Sequence, residues 1–313
     1  SDMLDKLDIK AAKRIFRPET LTVYDEAEIA ALAQAEPETA ESRCFVRLKY
    51  EADLALQRGP YSVTDKTATP PSGDSHDYYN PAPYWWPNPT TPNGMPYVFR
   101  DGVRIPGTRI YEIESDAYDR TRLQRLFDDT TTLALAWVGT ENDAYIAHAA
   151  TLVRTWFLDP KTRMNPHLLY AQIRSQTPQD HGSKSGLIEM KDLYYFLDSV
   201  RIVERAGALN DGERQGLRDW LRDYLEWLQT SEQGIAERLS PNNHGTCYDL
   251  QTGAIAAFLG DIELLQLIFR TSRERMLEQF TPAGQQPHEM RRTQTAHYCC
   301  FNLQAWVNLA NLA

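Results

Sequence analysis

Apolar positions recur three and four residues apart through most of the chain, and the polar residues between them mark where each run begins and stops. Phe45, Leu48, Ala52 and Leu56 fall at helical spacing, which predicts an amphipathic helix over 41–57 that Gly59-Pro60 ends. More broadly, residues 3–58 read as mostly helical. Beyond residue 120 the helices come in pairs: 123–138 with 142–158, 187–206 with 211–229, and 248–259 with 261–280. Leu217, Trp220, Leu221, Tyr224 and Leu228 make one apolar stripe of the second pair. Glycine stops and Asp or Asn starts mark the turns. No alternating run of useful length appears, so the pattern predicts an all-α chain of antiparallel helical hairpins, a repetition that suits a toroid. Periodicity continues through Phe301, Ala305, Trp306 and Leu309 to Ala313 with no helix stop. This predicts a toroid that is open or cut short.

Residues 59–107 break the pattern. Ten of the 18 prolines lie between Pro60 and Pro106, too many for a helix and too irregular for a sheet. Tyr78, Tyr79, Tyr84, Trp85, Trp86, Tyr97 and Phe99 crowd into the same stretch. Disordered linkers are poor in aromatics, so this segment is predicted to pack on the helical body. Its aromatic faces, with Arg100, Asp101 and Arg104, suit either a sugar-binding groove or an apolar clasp that closes the fold.

The 313 residues suffice for a sizeable core and one domain, 1–313. A net charge of −10 argues against nonspecific nucleic-acid binding, and an acidic polymer would have to be held by local arginines and lysines. No apolar run approaches the length of a membrane span. The opening Ser1-Asp2-Met3-Leu4-Asp5-Lys6 does not read as a signal peptide. Four cysteines show no metal-type spacing, and neither a zinc nor a calcium motif occurs, so no metal or cofactor is implied. Oligomeric state is not legible.

Two stretches carry candidate chemistry. Asn242, Asn243 and His244 lie in a Pro- and Gly-bounded turn ahead of an apolar helix, and Arg291, Arg292, His297 and Tyr298 follow some fifty positions later. Taken singly, an Asn before a helix is more often a cap, and a Tyr on an amphipathic helix more often core. If 291–298 is continuous helix, Arg291 and Tyr298 share a face and His297 points elsewhere; a loop start would let Arg292 reach instead.

These stretches sit among longer motifs. Gly59-Pro60-Tyr61-Ser62-Val63-Thr64-Asp65-Lys66, Pro83-Tyr84-Trp85-Trp86-Pro87, Met164-Asn165-Pro166-His167-Leu168-Leu169-Tyr170-Ala171-Gln172 and Asn242-Asn243-His244-Gly245-Thr246 resemble the alginate lyase superfamily, as does Arg292-Thr293 through Tyr298. Within it the motifs resemble polysaccharide lyase family thirty-eight more closely and family five more distantly. The resemblance implies an (α/α) toroid of about six or seven hairpins with a central cleft, in a periplasmic or secreted bacterial enzyme. It also implies β-elimination from a 1,4-linked polyuronate, alginate or glucuronan, leaving 4,5-unsaturated ends.

Such a site must neutralise the uronate carboxylate, take the C5 hydrogen and protonate the leaving C4 oxygen. The resemblance gives Asn243 the first task, with Arg292 as carboxylate and transition-state stabiliser. His244 becomes base or neutraliser, and Tyr298 the acid, or acid and base both. A tyrosine, with an unperturbed pKa of about 10, needs nearby positive charge to act as base, and arginine supplies it. One residue in both roles implies syn elimination, which suits mannuronate; guluronate and glucuronate are expected to carry the two groups on opposite faces and so to call for a second base such as His244. Arg291, Gln172, Tyr170, His181, Trp85, Trp86, Arg100 and Asn242 complete the expected sugar contacts, and Glu289 is read as an orienter of an arginine. A glycoside hydrolase would instead need two paired carboxyls, for which Asp249, Glu289 and Asp101 offer no convincing motif. A noncatalytic polysaccharide-binding protein using the aromatic segment is the third reading.

Overall fold

The computed structural model describes residues 16–313. Within them the chain forms eleven α-helices and four short strands. The helices are α1 (Glu26–Ala33), α2 (Ala40–Ala55), α3 (Arg120–Thr140), α4 (Asp143–Val153), α5 (Leu193–Arg205), α6 (Asp211–Thr230), α7 (Glu232–Arg238), α8 (Asn243–Leu259), α9 (Ile262–Gln279), α10 (Pro287–Met290) and α11 (Thr295–Leu312). The first part of the stretch expected to be mostly helical, 3–58, falls outside the described residues; the described part holds α1 and α2 with non-helical turns before and between them.

Turn chemistry explains the hairpins. Asn142, Asn210 and Asp261 each cap the helix that follows with a side-chain oxygen, and Asn210 forms a reciprocal capping box with Glu213. Gly260 ends α8 at φ 73°, a left-handed conformation glycine adopts without penalty, and so turns the chain into α9.

Helices α3, α5, α8 and α11 form an inner layer, each packed on the next or on a shared neighbour, while α2, α4, α6 and α9 pack outside them. Burial follows from that order. In α6 only the predicted stripe and the adjoining Leu225 are buried, whereas α8 is buried on almost every side from Asn243 to Phe258. A helix enclosed this way must satisfy its polar groups internally. Gln251 accordingly accepts from Tyr224 Oη at 2.9 Å and donates to Leu187 O at 2.7 Å, and Asp249 pairs with Arg275 at 2.8 Å. One core of buried residues runs continuously from Ala52 to Leu312. Among the described residues no helix is long and apolar enough to cross a membrane.

Three boundaries differ from the periodicity. The second helix expected over 142–158 is α-helical only to Val153 and then widens into a π-turn, Arg154–Leu158. The helix expected over 187–206 starts at Leu193, preceded by a 3-10 segment, Lys184–Met190. The helix expected at 248 begins five residues earlier, so Asn243 and His244 stand on its first turn instead of a preceding loop.

The proline-rich segment is an ordered strap packed on the helical body. Val63 and Tyr78 are fully buried, and Lys66 forms an enclosed ion pair with Asp119 at 2.8 Å. These hold the strap to the body. Strand β1 (Tyr79–Pro81) then pairs in parallel with β4 (Tyr170–Ile173), and β2 (Trp85–Trp86) pairs antiparallel with β3 (Val98–Phe99). Parallel partners need a long crossover; here it is the whole α3–α4 hairpin. The strand pairs bring the aromatics of the strap over one end of the toroid.

Candidate active site

A cleft of about 650 Å³ opens where the strap meets the N-terminus of α8 and the start of α11. Asn243, His244, Arg292 and Tyr298 all line it. The wall contributed by α8 is held from behind. Asn243 is 1% exposed, and the buried Glu289 accepts both its backbone N–H and its side-chain Nδ2, each at 2.8 Å. His244 places Nδ1 3.1 Å from the carboxylate of Glu237, which is also buried. Asn242 caps the helix, its Oδ1 accepting from His244 N at 3.2 Å. Arg275 locks the turn below by donating to Ser240 O at 2.8 Å and Arg238 O at 2.7 Å while pairing with Asp249. Gly245 is required there, since a Cβ would overlap both the Arg275 guanidinium and Ser240 O.

The facing wall is looser. Arg292 lies in the turn between α10 and α11, with its guanidinium 3.9 Å from the centre of the Tyr298 ring. Stacking uses the face of the guanidinium and leaves its N–H donors, set in the plane, free for a carboxylate. His297 also lines the cleft, its ring 5.1 Å from that of Tyr298.

The third wall is the strap with β4. Tyr84, Trp85 and Phe99 present aromatic faces, with Arg104 5.6 Å over Tyr84 and Arg174 5.3 Å over Trp85. Arg109, Arg120 and Lys191 add further positive charge. With Arg104, Arg174 and Arg292 this makes six cationic side chains around one cleft, in a chain of net charge −10. Field lines in such a cleft concentrate an anionic ligand despite the overall charge.

Glu189 is the one carboxylate among the lining residues. Burial pushes its carboxyl up, against the charge of Arg120 and hydrogen bonds from Tyr78, Asn80 and Gln172. It takes Tyr78 Oη at 2.5 Å and Asn80 Nδ2 at 2.9 Å and is 3% exposed, so it anchors the floor. Gln172, which shares that anchor, has φ 54°, the kind of costly left-handed backbone that clusters at functional sites.

The structure therefore gathers Asn243, His244, Arg292, Tyr298, Gln172 and Trp85, and leaves the other expected contacts outside the cleft lining. Arg291 does not share a face with Tyr298, because the helix is interrupted between Met290 and Thr295 and Arg292 takes the place beside the ring. Trp86 points to the opposite side of the ribbon from Trp85, as successive strand residues must. It donates to Val103 O at 2.8 Å with Arg100 stacked 4.9 Å away, which takes Arg100 from the cleft as well. Tyr170 and His181 pack on each other at 6.0 Å, and Asn242 is occupied as a cap. His297, expected to face away, is in the cleft. Glu289, expected beside an arginine, grips Asn243 instead. Glu237, Arg109, Arg120, Lys191 and Glu189 carried no signal in the sequence; their roles arise from helices and loops far apart along it.

A two-layer helical toroid with a cationic, aromatic-walled cleft that offers Asn, His, Arg and Tyr together defines an enzyme of the polysaccharide lyase class. The sequence profile of the family described as alginate lyase matches residues 62–313. An alginate lyase from Bacteroides ovatus is similar at 33% identity, over 94% of this chain and 76% of that one, with a TM-score of 0.85. Alginate lyase A1-III from Sphingomonas species A1 shares the fold at 16% identity, over 96% and 72% of the two chains, with a TM-score of 0.51. A variant of A1-III complexed with a tetrasaccharide matches at 15% identity over 94% and 70%, with a TM-score of 0.54. No curated protein sequence matches. The chain belongs to the alginate lyase family.

Proposed function

We propose that the chain cleaves a 1,4-linked polyuronate, alginate first and glucuronan as the alternative, by β-elimination that leaves a 4,5-unsaturated uronate at the new end. The observation that carries this reading is one cleft combining Asn243, His244, Arg292 and Tyr298 with five further cations and a single enclosed carboxylate. Asn243 and Arg292 meet the uronate carboxylate as negative charge grows on it, and fixed donors of this kind contribute on the order of 10²–10³ in rate each. Tyr298 gives its proton to the departing C4 oxygen. In mannuronate the C5 hydrogen lies on the same face as that oxygen, and glucuronate, which has the same configuration at C4 and C5, shares this arrangement in place of the opposite-face one expected above, so Tyr298 can remove it too. In guluronate it lies on the other face, and His244 is the candidate base. Trp85, Tyr84 and Phe99 offer apolar faces to the sugar rings on either side. A substrate too large to enter cells places such an enzyme in the periplasm or outside.

Hydrolysis is disfavoured by the same wall, because two carboxyls across a scissile bond are required and Glu189 alone lines the cleft, already holding three donors. Asp249 is engaged by Arg275 and Glu289 by Asn243. Incubation with mannuronan, guluronan and glucuronan tests the reading: near-ultraviolet absorbance should rise as chains shorten, and reducing ends without that absorbance would refute it. Tyr298→Phe should lower kcat by about 10²–10⁴ with KM changed only a few-fold, as for loss of a proton-transfer group.

A further inference from the structure

We infer that Glu237 is the residue that makes His244 a base and thereby lets one cleft act on the guluronate epimer; the inference rests on the lyase reading above. Glu237 sits in the last turn of α7, a short helix wedged against α6 and α8, with its side chain 1% exposed. Its Oε2 is 3.1 Å from His244 Nδ1, and its Oε1 is 3.4 Å from Ser240 Oγ, which in turn receives Lys184 Nζ at 2.7 Å. An ionised carboxylate can only accept, so the His244 contact requires the ring hydrogen on Nδ1. The neutral ring then carries its lone pair on Nε2. No hydrogen bond among the described residues occupies Nε2, and the ring lines the cleft.

The step balances without any co-reactant. The C5–H bond breaks, its electron pair passes into the carboxylate-stabilised enolate, and the proton goes to Nε2. The enolate pair then forms the C4–C5 double bond as the C4–O bond breaks, and the departing oxygen takes the proton of Tyr298 Oη. The imidazolium afterwards releases one proton to solvent and the tyrosinate recovers one. Glu237 touches neither sugar nor reacting atoms; it fixes the tautomer and faces the positive charge formed on the ring. It is a positioning residue whose effect depends on the epimer. Mannuronate and glucuronate, served by Tyr298 alone, do not call on it.

The closing experiment compares wild type with Glu237→Gln on mannuronan and guluronan, beside nitrogen-15 spectra of His244 in the unliganded wild type. Gln keeps the shape but lacks the negative charge that faces the imidazolium, and loss of an orienting carboxylate behind a catalytic imidazole costs up to about 10⁴ in turnover. Expected are a kcat on guluronan reduced by at least about tenfold relative to that on mannuronan, KM within about threefold on both, and a wild-type ring with hydrogen on Nδ1 and a bare Nε2. Equal losses on both polymers overturn the proposal, as do a wild type that cleaves mannuronan alone and a ring protonated at Nε2. The wild-type spectra decide the tautomer even if the variant fails to fold. Absence of unsaturated product from every polymer refutes the lyase reading instead, and is separable because the spectra do not depend on turnover.

Discussion

The two walls of the cleft are built to different standards. On the α8 side Asn243 is buried with two hydrogen bonds to one carboxylate, His244 leans on a second, and Arg275 ties the turn beneath them. On the α11 side Arg292 and His297 are exposed, the N-cap Gln294 gives α11 no side-chain hydrogen bond, and Arg292 and His297 meet the segment mainly through the ring of Tyr298. In the proposed mechanism the two walls divide the work, although Arg292, on the looser wall, also meets the charge of the substrate. Groups that meet charge gain most from being fixed beforehand, because no reorganisation is then left to the moment of reaction. A wall that must admit a polymer and let go of its product is better placed on a segment with few enclosed contacts, the kind that opens at low free-energy cost.

Of the changes that test this contrast between the walls, the largest expected effect on stability and turnover together comes from removing what fixes the first. Glu289→Ala leaves the backbone and side-chain N–H groups of Asn243 buried without an acceptor, at about 1–3 kcal/mol for each such group. Thermal unfolding should fall by several degrees and kcat/KM by at least about tenfold; an unaltered kcat/KM would show that the wall need not be rigid. Next, Arg292→Lys keeps the charge but loses the planar donors and the stack, and should cost about tenfold in kcat/KM while leaving the unfolding midpoint unmoved. A clear drop in stability would mean the second wall is as structural as the first. Smallest is Asn242→Ala, which removes a cap worth about 1 kcal/mol and should leave kcat within about threefold. A larger kinetic loss would return Asn242 to the list of sugar contacts from which its capping bond removes it.

The helical body was legible because periodicity and caps are local. Leu217 through Leu228 announced the buried face of α6, and Asn142, Asn210 and Asp261 announced its turns and those of its neighbours. Where an element was misplaced, a tertiary demand had overridden the pattern. The helix α8 begins at Asn243, ahead of the expected start, because Glu289 satisfies the first-turn N–H of a residue that the sequence presents as part of a turn. The aromatic strap could be read as packed, but which tryptophan faced the cleft depended on the pleat of a two-residue strand and its partner.

Of the candidate site, the sequence by itself determined the residue types proposed to carry chemistry and the order in which they arrive: an Asn-His pair at a helix start, then Arg and Tyr beside another. Tertiary structure decided the rest. It chose Arg292 over Arg291 through a break in the helix, set Glu289 and Glu237 behind Asn243 and His244, and drew Arg109, Arg120 and Lys191 to one rim. The physical reason is range. Helical propensity and capping act over a few residues and leave a local signature, whereas a carboxylate that orients a ring, or a cation that raises the field in a cleft, acts through space between segments whose separation along the chain carries no trace of their meeting.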